Sequence, residues 1–87
     1  MSVSSINNLE LAKTFDFTVL MAVYWKDDPD LFMSALSSVF QNSMRPRDVL
    51  VVADGEITQE LNKVIEELQE KHNNLSLLRL PINIGLA

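Results

Sequence analysis

An α/β fold with a parallel sheet is what this 87-residue sequence predicts, and three observations carry it. Strongly apolar runs stand at "FTVLMAVYW", "DVLVVAD" and "LSLLRLP". Amphipathic helical stretches separate them, and the connections between elements are short. The order β-α-β-α-β, with right-handed crossovers, makes the strands parallel neighbours covered by helices. That is one half of a doubly wound sheet.

The first run is rich in β-branched and aromatic residues and does not alternate, as expected of a strand buried on both faces. "KDDPD" then starts a helix: Asp28 can accept the first free helical N–H groups, Pro29 suits the first helical position, and Asp30 lies favourably against the helix dipole. Leu31, Phe32, Ala35, Leu36, Val39 and Phe40 recur at helical spacing and form its apolar stripe, with Met33 and Met44 nearby as packing residues. The helix is expected to stop near "QNSMRP", because Pro46 forces Arg45 out of helical geometry. "DVLVVAD" is the second strand. Thr58 caps the next helix, whose inner face is Ile57, Leu61, Val64, Ile65 and Leu68. Glu60, Lys63, Glu66, Glu67, Glu70 and Lys71 fall on its solvated face, with Glu67 and Lys71 spaced for an i,i+4 pair. "HNN" closes that helix, and the third strand leads into "INIGLA". Residues 1–16 read as a polar arm and 17–87 as the folded part. In such folds the first strand lies centrally, so the chain reads as a truncated half with one strand edge unpaired. Exposed edges favour self-association.

Composition narrows the function. The net charge is −5, and the seven Lys and Arg are scattered, which excludes a nucleic-acid footprint. There is no cysteine, so disulfides, thiolate chemistry and cysteine-based metal sites are excluded. "VLMAVYW" is far shorter than the roughly 20 residues of a spanning helix, and no signal peptide is legible. A cytoplasmic location is expected.

In open parallel sheets, ligands bind beyond the carboxyl ends of the strands. "AVYWKDD", "ADGE" and "PINIG" converge there. With Gly55 and Gly85 the only glycines, no glycine-rich phosphate loop is possible. A serine nucleophile elbow is also missing. His72 belongs to the far end of the second helix, where a protonated imidazole suits the dipole. Asp54-Gly55 is either a plain strand-ending turn or a carboxylate held at a cleft.

At these segments the sequence resembles the start of an inverting family 2 glycosyltransferase of the GT-A fold, whose nucleotide-binding half is Rossmann-like. The resemblance rests on "AVY" after the first strand, "SVFQNS" with Ser38, Gln41 and Ser43, "VVADG", and "NIGLA", in the family's order and spacing across residues 17–87. It looks closest to bacterial enzymes building capsule, exopolysaccharide or lipopolysaccharide. The resemblance implies that Tyr24 packs on the nucleotide base, the Ala22 backbone contacts it, and Asp54 hydrogen-bonds its edge. Asn83 and Gly85 would line the nucleotide side of the cleft. The chemistry suits these residues: an aromatic face stacks on a planar ring, a carboxylate accepts from a base N–H, and glycine admits close backbone approach. Ala53 departs from the commoner aspartate, Ala22 from Pro or Thr, and Trp25 from Asn.

The resemblance further implies a nucleotide-diphosphate sugar donor, UDP type above all, and a glycan acceptor for a full enzyme peripheral to the inner membrane. A divalent metal, Mn or Mg, and a catalytic base would come from the family's later Asp-x-Asp region. Asp27-x-x-Asp30 reads as a helix cap instead. This chain is therefore expected to hold no catalytic residue, no metal and no cofactor, and to be inactive alone. The alternative is a non-catalytic α/β module, receiver-like or flavodoxin-like, binding a ligand or partner. A third strand ending in "LP" and a first loop "YWKDD" count against both forms of it.

Overall fold

The sequence places an aspartate, a proline and a second aspartate immediately before an apolar stripe, and a helix begins there. In the computed structural model, which describes residues 14–82, Asp28 accepts the N–H groups of Asp30 (2.8 Å) and Leu31 (3.2 Å), and Pro29 opens helix α1, Pro29–Gln41. Helix α2, Gln59–Lys71, is capped in the same manner: the Thr58 hydroxyl accepts the Leu61 N–H at 3.2 Å. These local side-chain acceptors satisfy N–H groups that have no partner inside the helix. The Glu67–Lys71 pair forms at 3.9 Å on the solvated face of α2.

Three strands complete the fold: β1, Thr14–Val23; β2, Arg45–Asp54; and β3, Leu75–Leu80. They pair in parallel in the order β1-β2-β3. The predicted β-α-β-α-β half-sheet is therefore present. Strand β1 starts three residues earlier than the sequence reading placed it, because Thr14 and Phe15 find partners in Arg45 and Pro46. A bulge between Phe15 and Thr18 follows that first contact. Pro46 is tolerated inside β2 because β3 begins pairing only at Val49, so no neighbouring strand needs a donor on that side. The amide of Asn74 instead reaches the carbonyls of Pro46 (3.4 Å) and Arg47 (3.2 Å).

The strands end unevenly. Pairing of β1 with β2 stops at Val23 and Ala53, whereas β2 and β3 continue one rung further, to Asp54 and Leu80. Tyr24 and Trp25, expected in the first strand, lie beyond it. The Tyr24 N–H donates to the Asp27 carboxylate at 2.9 Å, and its carbonyl accepts the Asp27 N–H at 3.0 Å. That closed turn ends the strand. Asp28 alone makes the cap, and Asp27 serves the turn.

Both helices lie on one face of the sheet. Val23, Val49, Val51, Ala53 and Leu75 meet Phe32, Leu36 and Phe40 of α1 and Leu61, Ile65 and Leu68 of α2 in a single core. A fully buried Leu such as Leu36 or Leu61 contributes about 1.5–3 kcal/mol. The arrangement follows from the strand order: two right-handed crossovers moving in the same direction deliver their helices to the same side. The other face carries Leu20, Ala22, Leu50, Val52, Leu78 and Leu80 by alternation, and no helix among the described residues covers it. Leu20 is 68% exposed and Leu78 49%. Three residues expected to pack beside α1, Leu31, Ala35 and Met44, are exposed, and so are Phe17 and Leu20 of the strand expected to be buried on both faces.

Candidate functional site

A cavity of about 450 Å³ opens at the carboxyl ends of the strands, lined by Trp25, Asp54, Gly55, Glu56, Ile57, Thr58 and Ile82. Each of the three converging segments supplies part of it. The turn after β1 gives Trp25, the link from β2 to α2 gives Asp54 through Thr58, and the segment after β3 gives Ile82. The position follows from the topology, because parallel strands bring their carboxyl ends and the loops that leave them to one edge.

Asp54 forms the floor. It is the last residue of β2 and is 1% exposed, the one buried charged residue among those described. The carboxylate has an interaction partner within the fold, and every buried side-chain nitrogen or oxygen among the described residues is hydrogen-bonded. Gly55 follows with φ 84°, the left-handed region that only glycine enters without a steric penalty. This backbone reversal sends the chain across the top of the sheet toward the Thr58 cap of α2. Both readings of Asp54-Gly55 thus meet in one place: the pair is a turn, and it also lines a cleft.

Trp25 and Ile82, 54% and 66% exposed, form the outer apolar walls. Among the described residues, the lining contains two carboxylate residues, Asp54 and Glu56, and neither lysine nor arginine. Lys26 lies outside it, with its ammonium 5.3 Å from the Trp25 ring centroid. Arg79, on the helix side of β3, is held by the Asn62 side-chain oxygen at 2.6 Å.

The residues singled out from the sequence are distributed differently. Asp54 lines the cavity. Tyr24 is half-buried, its backbone is engaged by Asp27, and it is not part of the lining. Ala22 pairs with Val52 and borders a separate groove of about 310 Å³ with Asp27, Asp28 and Leu31. Asn83 and Gly85 lie outside the described residues. Trp25, to which sequence reasoning gave no role, is in the cleft. The legible signal was the aspartate three residues after Tyr24: a side chain that closes a turn there ends the strand before the aromatic pair.

His72 terminates α2 at the opposite end of the molecule, stacked on Phe40 with ring centroids 3.8 Å apart. Its pKa is lowered from 6.5 by burial first, then by the charges of Lys71 and Arg45. Those effects outweigh the dipole's preference for a protonated imidazole at this position. No group of three or more His, Cys, Asp or Glu side chains among the described residues could hold a metal ion. Asp27 and Asp28 are both committed to backbone N–H groups.

The chain is 40% identical over 71 residues to the UDP-Gal:alpha-D-GlcNAc-diphosphoundecaprenol beta-1,3-galactosyltransferase of Escherichia coli, covering 82% of this chain and 26% of that protein. The chain is similar to glycosyltransferases. A second relative, an uncharacterized glycosyltransferase of Haemophilus influenzae, is 33% identical over 71 residues, with the same 82% and 26% coverage. The chain thus spans about a quarter of the length of these curated relatives. No family model matches the chain, and no solved structure matches it. No helix among the described residues is long and apolar enough to cross a membrane.

Proposed function

We propose that this chain is the nucleotide-binding part of an inverting, family 2 glycosyltransferase of the GT-A fold, moving a sugar from a nucleotide-diphosphate donor to a growing bacterial surface glycan. The observation that supports it most is the cleft itself. In a chain similar to glycosyltransferases, three loops at the carboxyl edge of a parallel sheet surround a buried carboxylate with apolar walls. The donor is of UDP type and the acceptor is a lipid-linked glycan; the name of the Escherichia coli relative gives UDP-Gal and a diphosphoundecaprenol-linked GlcNAc for that protein.

Asp54 accepts a hydrogen bond from the base edge, where a carboxylate distinguishes an N–H from a lone pair. By the family resemblance, Ala22 and Tyr24 would contribute from the end of β1, and Asn83 and Gly85 from the segment after β3, as further nucleotide contacts. In the reaction, the acceptor hydroxyl attacks the anomeric carbon, the bond to the diphosphate breaks, and configuration inverts. A carboxylate base removes the hydroxyl proton, and a divalent cation, Mg or Mn, would neutralise the diphosphate. The described residues offer that cation no donor set, so neither the metal nor the base is assigned to them. The contribution of this chain is to bind and orient the nucleotide, and the purified 87-residue protein is expected to transfer no sugar.

Calorimetry with UDP on the native chain and on Asp54→Ala tests the reading. A lost hydrogen bond to a charged group is worth about 1.5–3 kcal/mol, so affinity should fall about tenfold or more. Far-UV circular dichroism checks that the variant remains folded, and UDP methylated at N3 of the base supplies the same test on the native protein. Equal affinity in both comparisons would remove Asp54 from base recognition.

A further inference from the structure

The pole opposite the cleft holds a second cavity, of about 370 Å³, whose walls include Arg45, Arg47, His72, Asn73 and Asn74. None of its described lining residues is a carboxylate. Contacts from three elements fix its walls. The His72 ring lies flat on Phe40 of α1. The Asn74 amide ties the link after α2 to the carbonyls of Pro46 and Arg47 in β2. The Val49 N–H donates to the Asn74 carbonyl at 2.9 Å, which fastens the same link to β2 a second time.

The cations at this pole are not equally committed. Arg47 is held by the carboxylates of Asp16 and Asp48, in exposed pairs whose acids do not line the cavity. Lys71 pairs with Glu67 at 3.9 Å along α2. Arg45 has no ion-pair partner among the described residues. Both helices direct their carboxyl ends here, which favours cations, and Arg45 and Lys71 answer that preference. Burial lowers the pKa of His72, and the positive charges of Lys71 and Arg45 lower it further, so the ring lies in cationic surroundings. A guanidinium without a carboxylate, beside an amide and an imidazole, is a donor set suited to a tetrahedral oxyanion.

We propose that this cavity binds a phosphate-bearing anion, with Arg45 as its charged anchor and His72 and Asn73 as hydrogen-bond donors. The site is independent of the nucleotide-binding reading, since it shares no lining residue with the cleft.

His72 is the single histidine of the chain, so its imidazole proton resonances report on the cavity. Titration with inorganic phosphate or sulfate should move them to saturation and raise the His72 pKa, because a bound anion stabilises the imidazolium. By reciprocity, sulfate should bind more tightly as the pH is lowered through the imidazole range. Uridine, or sodium chloride at equal ionic strength, should do neither. Arg45→Gln should weaken anion binding about tenfold or more, the scale of a lost charge-assisted hydrogen bond, and Arg45→Lys should recover part of it. Arg45 is exposed, so its replacement leaves the domain folded, which circular dichroism verifies. Flotation with phosphatidylglycerol and phosphatidylcholine vesicles then separates two sources of the same chemistry. Binding to the former alone, lost in Arg45→Gln, assigns the site to a lipid headgroup. Phosphate binding without vesicle binding assigns it to a free phosphate. If phosphate and sulfate leave His72 unmoved, or if sodium chloride or the Arg45→Gln variant gives the same shift, the site is overturned.

Discussion

Gly55 occupies a backbone position that another residue can hold only under strain. With φ 84° it turns the chain directly after the buried Asp54, so any Cβ added here meets the neighbouring backbone. Gly55→Ala is expected to cost about 1–2 kcal/mol, read as a lower urea midpoint with an unchanged slope. An unaltered midpoint would mean that the loop relaxes without loss. At this scale much was legible. Asp28 and Thr58 announce their helices because capping is a bond between a side chain and the backbone two or three residues on, wholly local in sequence. The exchange of Tyr24 for Trp25 in the cleft was not legible from strand composition. Both are aromatic residues suited to a strand, and the turn that separates them depends on which oxygen the Tyr24 N–H finds.

Strands and helices followed from apolar spacing, since 3.6-residue and continuous patterns are distinct here. What spacing could not give was the face on which each helix lies. The strand order proceeds in one direction, so both helices lie on one side, and among the described residues no helix covers the other, apolar sheet face. Along that face Leu20 stands opposite Leu50, and Ala22 and Val52 lead to Leu78. Together with the outer edges of β1 and β3, this surface should drive association between copies of the chain. Sedimentation velocity over a range of concentrations is expected to show reversible self-association, and Leu20→Lys combined with Leu78→Lys should shift it toward monomer. A native chain that is monomeric throughout would contradict this.

Across the whole molecule, stability should fall as the pH is lowered through the imidazole range. Burial and the neighbouring charges of Lys71 and Arg45 depress the pKa of His72 below 6.5 in the folded state. The unfolded chain therefore binds the proton more readily. The contribution is fully present above about pH 6.5 and is lost as the pH falls from there through the folded value. Thermal unfolding measured in steps below that pH should show the decline, and His72→Phe, which keeps a ring against Phe40, should flatten it. An equal slope in both proteins would assign the acid sensitivity to the carboxylates. The sequence placed His72 at the helix end correctly, but Arg45 approaches it from β2, and that charge is visible only once the chain has folded.

Helix α2 joins two unrelated chemistries. Its first turn borders the cleft at Thr58, and its last ends at His72; thirteen residues place them about 20 Å apart. No contact is needed for one end to influence the other. A nucleotide that binds the folded chain alone stabilises every part of it in proportion to the logarithm of its concentration. Saturating ligand at the amino end should therefore lower the pH at which protonation at the carboxyl end unfolds the domain. Acid resistance thus becomes a measure of occupancy read at the far pole of the molecule.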